Sequence, residues 1–207
     1  KRLDVTTSFN NTCRNHRLRV VFPTRLICDR TDAEASFDVI SRDIHVKEGN
    51  AYFGRTNPQY PMYRFVDMTD GAKGFAILNT GIREYEAIDT QDRPLAITLL
   101  RAFTYRNCPI FGRWETYPEM DLAQCIGEHE WTYAIYPHEG DWTNGVFEQA
   151  EDLNLPLEPA QAGPHKGTLP KAMSFLQVEG GCVQLTALKR AEDRPDTFVV
   201  RLFNPEA

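Results

Sequence analysis

Strand-length apolar runs, broken at short intervals by turn-forming residues, constrain this sequence more than any other feature. Arg2–Phe9, His16–Phe22, Ser36–Ile44, Tyr63–Met68, Gly74–Asn79, Glu84–Ile88, Leu95–Phe103, Glu130–Tyr136, Met173–Val178, Cys182–Leu188 and Thr197–Phe203 each read as a strand bounded by Gly, Pro, Asn or Asp. Some alternate: in "CVQLTALK", Val183, Leu185 and Ala187 oppose Gln184, Thr186 and Leu188. "LAITLL" is apolar throughout and suits a strand held between two sheets. One helix is expected, over Gly145–Leu153, where Val146, Ala150 and Leu153 recur at helical spacing. Residues 154–172 hold four prolines and two glycines and read as a long connection running between sheets. The pattern predicts an all-β fold, a large antiparallel sandwich with one short helix.

Composition narrows the class. The 207 residues are 42% hydrophobic and 25% charged, which is enough apolar material for a substantial core. No apolar run approaches the roughly 18 residues of a membrane span. The net charge of −6 and the lack of a basic stripe argue against a nucleic-acid partner. Arg14, His16, Arg17 and Arg19 form the densest basic cluster, and on a strand Arg17 and Arg19 share one solvated face. Five scattered cysteines (Cys13, Cys28, Cys108, Cys125 and Cys182), without a C-x-x-C pair, suit reduced thiols and a cytoplasmic protein. Asn10-Asn11-Thr12 matches a glycosylation sequon, a pattern short enough to recur by chance. "RLDVTTSF" is already strand-like and "TFVVRLFNPEA" stops just after a strand, so a piece of a longer polypeptide is expected.

Chemistry is sparse. "GEHEWTYAIYPHEGDW" carries His129, Glu130, His138 and Asp141, side chains that metal-dependent hydrolases use. The two histidines are nine apart on an alternating segment, about 30 Å if the strand is straight, and an odd spacing points them to opposite faces. Trp131, Tyr133 and Ile135 share one face, Thr132, Ala134 and Tyr136 the other, and Pro137 with "EGD" is expected to end the strand. This predicts strand ends rather than a metal site. No G-x-S-x-G elbow, phosphate-cradling glycine loop or activated cysteine signature is present. "EYEAIDTQDRPLAITLLRAF" is more informative: two strands flank "DTQDRP", and Pro94, which cannot donate to a ladder, closes the turn. Asp92 and Arg93 then stand outward at the tip of a hairpin.

Four stretches in order resemble one family. "CRNHRLRVVFPT", "GFAILNTGIREYEAIDTQDRPLAITLLRAF", "IGEHEWTYAIYPHEGDW" and "VVRLFNP" are similar to the C-terminal β-domain of glycoside hydrolase family 38, the α-mannosidases, above all bacterial members, including those acting on mannosyl-glycerate-type substrates. The resemblance implies that residues 1–207 are part of a super-sandwich of the galactose mutarotase-like kind. It also implies a barrel-like catalytic domain, holding zinc and an aspartate nucleophile, and a helical domain, both outside this sequence. No catalytic residue, metal ligand or cofactor is therefore expected among these residues. Relatives place an arginine from a "QDRR" or "HRR" turn beside the sugar pocket. Here "QDRP" supplies Arg93, next to Asp92, as the residues implied to contact an α-mannoside, with Pro94 standing where relatives carry a second arginine. The competing reading is a free-standing carbohydrate-binding or interaction module, which needs an exposed aromatic row from Trp114, Tyr117, Trp131 and Trp142. A self-sufficient hydrolase built on His129, Glu130, His138 and Asp141 fails on the spacing above.

Overall fold

A computed structural model describes residues 1–45, 58–108, 113–116, 118–180 and 182–206, with backbone alone for 105–108, 113–116 and 118–120. In chain order these form β1 (Leu3–Asn11), β2 (Arg17–Pro23), β3 (Arg30–Ala35), β4 (Asp38–Asp43), β5 (Tyr60–Pro61), β6 (Phe65–Thr69), β7 (Lys73–Asn79), β8 (Glu84–Ala87), β9 (Pro94–Arg101), β10 (Tyr105–Cys108) and β11 (Arg113–Thr116). A 3-10 turn (Pro118–Gln124), β12 (Gly127–Glu139), α1 (Val146–Asn154), β13 (Gln184–Arg190) and β14 (Phe198–Phe203) follow. Two antiparallel sheets dominate, a six-stranded one in the order β1-β12-β7-β6-β3-β4 and a four-stranded one in the order β2-β9-β8-β5. The hairpins β10-β11 and β13-β14 stand as two-stranded sheets.

The core lies on both faces of the six-stranded sheet. On one face Ala33, Val66, Met68, Ile77 and Tyr133 meet Tyr85, Ala87, Leu95, Ile97 and Leu99 of the four-stranded sheet, which makes the expected sandwich. On the other, Phe65, Ala76, Leu78 and Ala134 are covered by Val146, Phe147 and Ala150 of α1, with Phe203 of β14 packed alongside. The predicted helix is therefore present, entered through Gly145 at φ 84, a left-handed conformation that disfavours a Cβ. Phe65 and Phe147 meet edge to face at 5.0 Å.

Strand β12 explains why one sheet buries both faces. Trp131 and Tyr133 face the inter-sheet core while Ala134 and Tyr136 face the helix, as the alternation predicts. The strand does not end at Pro137, however. It runs on to Glu139, and Pro137 pairs with Phe75 beyond the last β1 partner, Leu3↔Ile135. A residue without an N–H is tolerated there because one side of the strand is already open.

Three expectations need correction. The strand expected over Ser36–Ile44 is present but shorter: β4 begins at Asp38, because Ser36-Phe37, with Phe37 at φ 62, form the tight turn that joins it to β3. Met173–Val178 is no strand, since no neighbouring segment among the described residues bonds its backbone and its apolar side chains Met173, Phe175 and Val178 stand exposed. In "CVQLTALK" the register skips Thr186, pairing Leu185 with Leu202, Ala187 with Arg201 and Leu188 with Val200. Paired residues share a face, so this bulge moves Leu188 to the side of Leu185.

Candidate substrate-contacting turn

The turn between β8 and β9 is clamped by the segment that follows β2. The Arg25 N–H donates to the Asp92 carbonyl at 2.8 Å and the Thr24 hydroxyl donates to the Arg93 carbonyl at 2.7 Å. Within the turn, the Arg93 N–H donates to the Thr90 carbonyl at 3.0 Å and the Ile88 N–H to the Pro94 carbonyl at 2.8 Å. Arg93 itself takes φ 42, a left-handed backbone in a non-glycine residue. A strained residue in a turn tied by four such bonds, two of them its own, is a rigid mount for its side chain.

Asp92 and Arg93 diverge from this mount. Asp92 is exposed, 3.7 Å from the Arg25 guanidinium. Arg93 is not the outward solvated group that the turn sequence suggests: its side chain is 21% exposed and lies along a cleft of about 360 Å³ lined by Leu26, Cys28, Asp29, Asp89, Thr90 and Gln91. One Nη pairs with Asp89 and the other lies 3.4 Å from Asp29. Of the five N–H donors of a guanidinium, three make no bond to another described residue. Hydrogen bonds from His45 and Arg93 hold the Asp89 carboxyl below the usual carboxylate range, so it stays ionised and cannot serve as a general acid. Burial pushes the Cys28 thiol up to about 11, which leaves it protonated and unreactive at neutral pH. The cleft can bind hydroxyls through charge-assisted hydrogen bonds. Asp89 lies inside the quoted turn, four residues before Arg93, and was legible as its i−4 partner. Asp29 and Thr24 come from a distant segment that no local pattern connects to the turn.

The histidines of β12 stay apart, as their spacing requires. The His129 Nε2–H donates to the Cys125 carbonyl at 2.7 Å, and the ring stacks on Trp131. His138 is buried on the opposite face, its Nε2 2.9 Å from Asp67 of β6. The Asp141 carboxylate accepts from the Thr143 N–H and hydroxyl and so serves its own turn. Among the described residues no group of three or more His, Cys, Asp or Glu side chains could hold a metal ion. The aromatic row fares no better: Trp131 packs on the inter-sheet core, and Trp142 meets Phe147 edge on against α1. The side chains of Trp114 and Tyr117 lie outside the described residues.

Residues 1–109, from β1 through the Arg93 turn and on past β10, match the family model described as the glycosyl hydrolases family 38 C-terminal domain. The chain belongs to glycosyl hydrolase family 38. Relatives align over 90–100% of the chain. A protein of Halalkalibacterium halodurans named "Putative mannosylglycerate hydrolase" is 30% identical over 100% of this chain and 22% of its own. Alpha-mannosidase 2C1 of Mus musculus is 30% identical over 90% of this chain and 16% of its own. The crystal structure of an alpha-mannosidase from Enterococcus faecalis V583 superposes with a TM-score of 0.83 at 31% identity, covering 98% of this chain and 22% of that one. The chain thus spans about a fifth of the length of these family 38 relatives.

Proposed function

We propose that this chain is the non-catalytic C-terminal part of a retaining, zinc-dependent α-mannosidase, packed on its catalytic domain and completing the sugar pocket with Arg93 and Asp92. The observation that carries this reading is the alignment of 90–100% of the chain, at 30% identity, with a protein named a mannosylglycerate hydrolase and an alpha-mannosidase of which it spans about a fifth. The Arg93 turn supports it by its rigid backbone, its cleft and its three uncommitted donors. The donor set does not fit zinc: the described residues gather no three ligands, and both ring nitrogens of His138 already face oxygen partners. Zinc and the two carboxylates of a retaining glycosidase are accordingly assigned to polypeptide outside these residues.

The same reading places the protein in the cytoplasm, supported by the unpaired thiols of Cys13, Cys28, Cys125 and Cys182. No helix among the described residues is long and apolar enough to cross a membrane. The test compares two samples on an aryl α-mannoside. A longer polypeptide that carries these residues together with the catalytic domain should turn it over, and the 207-residue chain alone should not. Turnover by the isolated chain, with host glycosidase excluded, would overturn the assignment.

A further inference from the structure

The β13-β14 hairpin presents a second, unassigned surface. Its register places Leu185, Leu188, Phe198, Val200 and Leu202 on one face, together with Arg190 at the rim. All five apolar side chains are 36–64% exposed. The opposite face meets the body at its Gln184-Phe203 end: Gln184 is buried, Phe203 packs on the core beside α1, and Arg201 lies over the Phe37 ring, while Val199 at the far end is 40% exposed. The bulge at Thr186 is what gathers Leu188 onto the outer face, where strict alternation would send it inward. Five adjacent, part-exposed apolar side chains on a two-stranded sheet, with both of its outer edges unpaired by any described strand, are not a self-sufficient arrangement.

We infer that this face is a docking surface for β-structure from the same polypeptide, contributed by residues outside 1–207 that cover the five side chains and extend the sheet. The inference rests on the reading of the chain as part of a longer glycosidase, and it names the surface through which that assembly is made. Chain length decides the occupant: the match covers 22% of the solved alpha-mannosidase, so more than three quarters of such a chain lies outside the matched stretch. A second copy of these 207 residues is the poorer occupant, because it brings net charge −6 against net charge −6.

Hydrogen–deuterium exchange of the β13 and β14 amides tests this, read in the longer polypeptide and in the 207-residue chain. Exchange should be roughly tenfold or more slower in the longer polypeptide. Val200→Asp and Leu202→Asp should lower its unfolding midpoint several-fold more than that of the 207-residue chain, where the two side chains are already 44% and 47% exposed. Equal exchange in the two samples, or indifference of the longer polypeptide to both substitutions, overturns the inference. Concentration-dependent protection in the 207-residue chain assigns the face to a second copy and also overturns it. Mannosidase turnover of the longer sample is read alongside: a protected face in an inactive protein refutes the proposed function and leaves the docking surface standing.

Discussion

The His138 imidazole faces an acceptor at each nitrogen, Asp67 at 2.9 Å and the Glu139 carbonyl at 3.2 Å. Two acceptors call for two N–H donors, the state of an imidazolium. Burial pulls its pKa down, but the hydrogen bond and charge of Asp67 outweigh this and hold it above the ordinary 6.5, while burial also holds the Asp67 carboxyl above the usual carboxylate range. A raised folded pKa contributes stability that is full below 6.5 and lost as pH rises through the folded value. Urea-unfolding midpoints should therefore fall from pH 6 to pH 9, and His138→Gln should flatten that slope; an unchanged slope refutes the assignment. His138→Ala, which leaves Asp67 buried without its partner, should cost about 3–5 kcal/mol. Gly74 pairs with His138 across the sheet and lies beneath its ring, where an added Cβ would fall 1.9 Å from Cε1. Gly74→Ala should displace the imidazole and destabilise strongly, while in a His138→Ala background the same change should cost far less, a coupling that a double-mutant cycle measures.

Among the elements, those with periodic apolar residues were legible and those held by charge were not. Strands β7, β9 and β12 and helix α1 follow from apolar runs, alternation or helical spacing because their apolar side chains meet a core. Strand β3, "RTDAEA", carries no such signal and was missed. It is held inside its sheet, between β6 and the edge strand β4, with the buried Glu34 gripped by the Arg64 fork at 2.6–3.0 Å and Thr31 bonded to the Tyr85 hydroxyl. Removing Arg64 strands that carboxylate, so Arg64→Leu should lower stability by about 3–5 kcal/mol in denaturant unfolding. A loss under 1 kcal/mol would show that water reaches Glu34. The outer face of the four-stranded sheet is polar for a related reason: Arg19 pairs with Glu86 at 2.6 Å and Arg101 with Glu84 at 2.8 Å. Arg17 and Arg19 share that face, as the sequence suggests, but they serve it as ion-pair partners rather than as freely solvated charges.

At the scale of the whole molecule, the sandwich was legible from strand spacing, and the family from four ordered stretches. The Arg93 cleft was half legible, since Asp89 and Arg93 share one turn whereas Asp29 and Thr24 reach it only through the fold. The central claim is that this rigid turn serves a sugar pocket built largely by polypeptide outside these residues. The most direct test is kcat/KM of Arg93→Ala for an aryl α-mannoside in the longer enzyme. Losing a charged hydrogen bond to substrate costs about 1.5–3 kcal/mol, so kcat/KM should fall roughly 10- to 150-fold. Part-exposed ion pairs of the Asp89 and Asp29 kind contribute at most about 1 kcal/mol, so the unfolding midpoint should move little. A kcat/KM within a factor of two of the unsubstituted enzyme would contradict the account and leave Arg93 as the tie that holds its own turn.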